Sequence, residues 1–193
     1  CANRIYVQDG VYDEFARRFT EKVKALKVGN GMEPGVNQGP LIEDKAIVKV
    51  ENHIADALSK GSRLLTGGRR PVPGQLFFEP TLLVDVNDSM QVCEEETFGP
   101  LATVTIARDT DEAVALANHT RLGLGASVWT ADVARGETIA ARLESGAVFV
   151  NGMVKSDPRL PFGGIKASGH GRELARDGLL EFVNRRTWWV REG

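Results

Sequence analysis

Strand-like and helix-like stretches take turns along this chain, and that alternation leaves few folds open to it. Residues 4–7 (RIYV) have the β-branched and aromatic content of a strand. A helix follows, with its apolar stripe expected at Phe15, Phe19, Val23 and Leu26, and with Glu14 four residues ahead of Arg18 in the favourable orientation. Glycines punctuate residues 29–39. A second helix then places Ile47, Val50, Ile54 and Leu58 on one face and stops before Gly61. Further strands are expected at 63–66, within 77–86 where Pro80 interrupts, at 101–106 with alternating burial, and at 126–129. Asp109 and Glu112 have capping-box spacing ahead of a helix reaching Asn118, and a helix over 131–143 is expected to stop at Gly146 as its cap. The run Ala147-Val148-Phe149-Val150 has no polar position, as a strand covered on both faces requires. A helix over about 172–182 and a last strand at 187–190 complete the order. The pattern predicts an α/β fold with a mainly parallel sheet flanked by helices.

Composition narrows the function classes. With 42% hydrophobic and 26% charged residues, the 193 residues have the make-up of an ordinary globular domain. A net charge of −2 argues against a nucleic-acid partner, and no apolar run approaches a membrane span. Two cysteines give no disulfide framework, which points to a reducing compartment and a cytoplasmic location. The histidines, His53, His119 and His170, stand at no metal-ligand spacing, so no metal is expected. The chain starts at Cys1 and runs almost at once into a strand, so it is expected to be a piece of a longer protein.

Four stretches carry polar or reactive chemistry. In Glu94-Glu95-Glu96-Thr97-Phe98-Gly99-Pro100 three adjacent carboxylates repel one another, so at least one must be held by a hydroxyl, an amide or a cation. Such a turn is either a solvated acidic surface or a grip for a ribose diol beside a flat ring. The apolar strand ending at Asn151 leads into a loop with Lys155, Ser156 and Arg159, then Pro161-Phe162-Gly163-Gly164. Ligands of open α/β sheets bind beyond the carboxyl ends of strands, where these groups suit an anion; plain surface polarity is the alternative. Cys1 is a thiol with no general base near it in sequence. The tail, TWWV among Arg185, Arg186 and Arg191, offers apolar area and open backbone groups to a partner.

These residues resemble the carboxy-terminal part of the NAD(P)-dependent aldehyde dehydrogenases over essentially the whole chain. Residues 95–100 are similar to the family's E-E-x-F-G-P segment, and residues 161–169 to its P-F-G-G-x-K-x-S-G segment, continued by Gly171-Arg172-Glu173. Gln38-Gly39-Pro40 and Gly67-Gly68 fall in the family's order. The opening Cys-Ala-Asn-Arg resembles the end of the G-Q-x-C-x-C-A-N-R signature of the succinate-semialdehyde subgroup. In that register Cys1 is the second cysteine, and the nucleophile falls just upstream of it.

The resemblance implies specific roles. Glu96 would hold the nicotinamide ribose of NAD or NADP, with Phe98 beside the ring and Lys49 a further ribose contact. Ser156 would meet the distal carboxylate of succinic semialdehyde, Phe162 would line the aldehyde tunnel, and Lys155 and Arg159 would favour an acid-bearing aldehyde. Cys1 is a possible redox partner of the upstream thiol. Residues 1–184 would belong to the catalytic domain and 185–193 would form an oligomerisation strand in a dimer or tetramer. The fragment alone would be inactive, because nucleophile, general base and dinucleotide domain lie elsewhere. A dehydrogenase for another aldehyde and a non-catalytic assembly fragment are the alternatives.

Overall fold

A computed structural model describes residues 2–193, and the chain divides into two compact units, residues 1–113 and 114–193. The first unit holds a four-stranded sheet of β1 (Ile5–Gln8), β2 (Arg63–Thr66), β3 (Thr81–Val84) and β4 (Leu101–Ala107), in the order β1-β4-β3-β2. β1 and β3 run parallel to β4, with Val104 opposite both Ile5 and Val84, while β2 pairs antiparallel with β3. The expected mainly parallel sheet is present.

Two helices cover the sheet. α1 (Asp9–Lys24) packs Tyr12 and Ala16 with Leu82, Val84 and Val104. α2 (Asp44–Ser59) packs Ile47, Val50, Ile54 and Ala57 with Leu83, Phe78 and Met90. Successive strand residues face opposite ways, so β3 sends Leu83 to one helix and its neighbours to the other. This explains why β3 and the middle of β4 are buried at consecutive positions; the alternation expected for 101–106 is absent because β4 is interior.

Both helix stripes lie slightly off the expected ones. In α1 the buried residues are Tyr12, Ala16 and Val23, whereas Phe15 and Leu26 are exposed. The Tyr12 hydroxyl donates to Asp85 Oδ1 and accepts from the Asp85 amide, each at 2.8 Å, and this turns the helix toward the tyrosine. In α2 Ala57, not Leu58, completes the buried face. Glu14 does pair with Arg18, at 2.6 Å, and also with Arg17.

α3 (Gln91–Glu94) is a single turn preceding β4. α4 (Thr110–Asn118) begins as expected, with the Glu112 amide donating to Asp109 Oδ1 at 2.9 Å. The Glu112 carboxylate reaches back one residue further than a capping box, to the Arg108 amide.

The second unit pairs β5 (Gly125–Val128) and β6 (Ala147–Val150) in parallel, joined by α5 (Val133–Ala140). β6 is only half-buried, contrary to the expectation of two covered faces. α5 starts from an Asp132 cap and ends well before Gly146. Gly146 is not a helix cap: a Cβ there would fall on the Gly163 carbonyl oxygen, so the residue is small because two loops touch. α6 (Ala175–Leu180) is shorter than expected, because Glu173 pairs with Phe162 and Leu174 and Ala175 take positive φ. The expected strand at 187–190 pairs with nothing among the described residues. A strand requires a neighbour to take its amides and carbonyls, and this segment finds none here.

Candidate functional site

In the first unit, the acidic turn is laid along one face of α2. Lys49, His53, Asp56 and Lys60 stand at intervals of four, three and four residues, which is one stripe of a helix. Each holds the segment leading to β4. Lys60 donates to the Ser89 carbonyl at 2.5 Å, and Asp56 accepts from the Gln91 amide at 2.8 Å. His53 Nδ1 lies 3.0 Å from Thr97 Oγ1 and its Nε2 lies 3.5 Å from Glu95 Oε2. Lys49 Nζ donates to the Glu96 carbonyl at 2.6 Å and sits 3.8 Å from the Glu95 carboxylate. Gly99 completes the seam, since a Cβ there would collide with Val50 of the helix.

Thr97 is buried against the helix, whereas Glu94, Glu95 and Glu96 are all exposed, with Glu95 leaning toward His53 and Lys49. Phe98 follows with φ 50 and its side chain 80% exposed. A bulky residue in the left-handed region is strained, and its apolar ring is in water. The expected restraint on the three glutamates falls on Glu95, through one cation and one imidazole.

His53 was not singled out by sequence reasoning, which took it as one of three scattered histidines. The available signal was its place in the stripe from Lys49 to Lys60, which flanks the apolar face of the same helix. Burial pulls its pKa below the usual histidine value against the opposing pull of Glu95, so the ring is neutral at physiological pH. Lys49, expected as a ribose contact, uses one of its three N–H donors on the loop backbone, and so holds the segment that carries Glu96.

In the second unit, Asn151 at φ 53 closes the carboxyl end of β6 against the segment after β5, accepting from the Thr130 amide at 2.9 Å and donating to the Thr130 carbonyl at 2.8 Å. The loop beyond it returns to pair Phe162 with Glu173 through two backbone hydrogen bonds of 2.8 and 2.7 Å. The lysine and serine of the glycine-rich segment fasten that return. Lys166 donates to the Asn118 carbonyl at 2.9 Å and pairs with Glu144 at 2.6 Å, and Ser168 Oγ accepts from the Gly123 amide at 2.9 Å. Phe162 is half-buried on this fixed frame, while Lys155 and Ser156 are exposed. Arg159 differs from the expectation of a cation offered to a substrate. Its guanidinium is doubly bonded to Asp157, at 2.9 and 2.7 Å, and the arginine brings that carboxyl down to about 2.

Cys1 lies outside the described residues. The other cysteine, Cys93, is a half-buried thiol whose pKa burial pushes up to about 11, so it is no nucleophile. Among the described residues no group of His, Cys, Asp and Glu could hold a metal ion, and no helix is long and apolar enough to cross a membrane.

In the first unit an exposed carboxylate, a group able to accept from both hydroxyls of a diol, stands two residues from an exposed ring. Comparison with known proteins agrees with these motifs. The profile of the aldehyde dehydrogenase family matches residues 1–188. Over 183 residues, 95% of this chain, the glutarate-semialdehyde dehydrogenase of Pseudomonas aeruginosa is 49% identical, with 38% of its own length covered. The 3-sulfolactaldehyde dehydrogenase of Pseudomonas putida and the succinate-semialdehyde dehydrogenase of Escherichia coli, whose name specifies NADP(+), are each 48% identical with the same coverage, 95% of this chain and 38% of theirs. A crystal structure of an aldehyde dehydrogenase from Brucella melitensis biovar abortus superposes with a TM-score of 0.89 at 51% identity, covering 94% of this chain and 37% of that one. The chain therefore spans about 38% of the length of the relatives it matches. With a family profile matched from residue 1 to residue 188 and a fold to agree with it, the chain belongs to the aldehyde dehydrogenase family.

Proposed function

We propose that these residues form part of an NAD(P)-dependent aldehyde dehydrogenase that oxidises succinic semialdehyde to the dicarboxylate. The supporting observation is the loop tied to α2 through Lys49 and Thr97, which presents Glu96 and the Phe98 ring among its exposed groups. Glu96 grips the nicotinamide ribose and Phe98 lies beside the ring, with Lys49 fixing the backbone between them. A bound dinucleotide would supply the hydride acceptor for the aldehyde carbon once a cysteine thiolate had added there, and water would then cleave the resulting thioester to the carboxylate and free the thiolate; the register of the opening motif puts that cysteine before Cys1.

In the second unit, Ser156 donates to the far carboxylate of the substrate, Lys155 supplies positive charge, and Phe162 lines the aldehyde path. The three relatives named above carry the names of enzymes for aldehydes with an acid group remote from the carbonyl, which supports an anionic substrate. NAD and NADP both suit the groups present. Residues 1–184 act within the catalytic domain, and residues 185–193 join a neighbouring subunit in a dimer or tetramer.

Steady-state kinetics on the full-length enzyme test the substrate reading. Ser156→Ala should lower kcat/KM for succinic semialdehyde about tenfold, the worth of a hydrogen bond to a charged group, and change butanal by less than about twofold. The 193-residue chain alone should reduce no cofactor in the same assay. Equal losses on the two aldehydes would contradict the assignment of Ser156, and a higher kcat/KM for glutaric than for succinic semialdehyde would transfer the enzyme to the longer substrate.

A further inference from the structure

The α2 stripe contains one residue whose cost demands an explanation. His53 is 2% exposed, and the same helix buries the apolar side chains of Val50, Ile54 and Ala57 at neighbouring positions. A polar ring in such a place is unfavourable unless its nitrogens are both used. They are. A carboxylate only accepts, so the nitrogen facing Glu95 carries the hydrogen; Nδ1 is then an acceptor, and the Thr97 hydroxyl must donate to it. One neutral imidazole thus holds the residues on both sides of Glu96.

We propose that His53 is a positioning residue for the cofactor loop: by fixing Thr97 and Glu95 against α2 it turns the Glu96 carboxylate outward before any dinucleotide arrives. The backbone geometry makes this work. Glu95 is extended, with φ −108 and ψ 140, and along extended chain alternate side chains point opposite ways. With Thr97 buried on the helix and the half-exposed Glu95 leaning toward it, the Glu96 side chain is left outward. Thr97 is itself buried, at 6% exposure, so losing its partner leaves a hydroxyl unsatisfied rather than hydrated. The charged groups around the ring are Glu95, Lys49 and Asp56; none of them can replace the link to Thr97. A dinucleotide that finds the loop already set need not supply the free energy of ordering it.

This inference rests on Glu96 being a cofactor ligand, and the test separates the two. In the full-length enzyme, dinucleotide affinity is measured by titration calorimetry without aldehyde, alongside amide hydrogen exchange over residues 95–98. His53→Leu and Thr97→Val should each weaken the dinucleotide roughly fivefold to tenfold and speed exchange in that segment. The double variant should be no worse than His53→Leu alone, because that change already removes the link that Thr97→Val removes. His53→Asn, which places an amide near the Nδ1 position, should recover most of the affinity. The aldehyde KM at saturating dinucleotide should stay within about twofold. Unchanged affinity, additive losses, or exchange rising throughout the first unit with a falling Tm would each overturn the proposal. Thr97→Val conserves volume, so it decides the matter even if His53→Leu does not fold. Glu96→Ala is the reference: if it too leaves affinity intact, the cofactor reading fails and the inference with it; if it alone weakens binding, only the role of His53 is lost.

Discussion

Phe98 holds its φ of 50 at a cost on the order of 1–3 kcal/mol for a bulky side chain, and gains nothing from burial. Its neighbours enforce the conformation: Thr97 is drawn to His53, and Gly99 lies against Val50 where no Cβ fits. A residue kept strained and exposed is informative about use rather than stability. Phe98→Gly should therefore raise the stability of the protein by on the order of 1 kcal/mol, since glycine adopts positive φ without clash, and should weaken dinucleotide binding about tenfold through loss of the ring. Thermal melts and a binding titration on the same variant check both halves. A lower Tm, or a Tm gain with unchanged affinity, would show that the ring is structural. The resemblance placed Phe98, but its backbone strain had no signature in the sequence, because nothing local in Thr-Phe-Gly-Pro demands positive φ at the phenylalanine.

At the scale of elements, α2 is the platform and the acidic turn is its passenger. The helix buries Ile47, Val50 and Ile54, each worth roughly 1.5–3 kcal/mol of apolar burial, whereas each loop contact returns about 1 kcal/mol. The core therefore sets where the loop sits. The helix period was legible in the sequence; the polar stripe beside the apolar one was not used, because Lys49, His53, Asp56 and Lys60 resemble ordinary solvated positions until their partners 29–47 residues away are known. The tail shows the opposite failure. Its sequence has strand character, yet residues 187–190 have no sheet to join, and Trp188 and Trp189 are 74% and 80% exposed, with Arg186 stacked 4.6 Å over the Trp188 ring. Exposed tryptophans of this size fit the proposed subunit contact. Light scattering of full-length enzyme carrying Trp188→Ser and Trp189→Ser should show a shift toward smaller species; an unchanged assembly mass would remove the tail from the interface.

For the whole molecule, alternation of elements was enough to give the α/β class and the mainly parallel sheet, because strand and helix periods differ and the glycines mark the joins. Burial was harder to read. Leu101–Ala107 is buried at consecutive positions where alternation was expected, and Ala147–Val150 is half-buried where two covered faces were expected, since coverage of a strand depends on which neighbours arrive, and residue patterns over four to seven positions do not encode them. Gly146 was misplaced for the same reason: its smallness answers to Gly163, seventeen residues on in the chain. The candidate site was legible mainly through motifs, while the residue that holds the motif in place came from geometry. The most direct test of the account is a crystal structure of the full-length enzyme with its dinucleotide bound. Both hydroxyls of the nicotinamide ribose should lie about 2.5–3.0 Å from the Glu96 carboxylate, with Lys49 still on the Glu96 carbonyl; a ribose held by other groups, with Glu96 facing solvent, would contradict it.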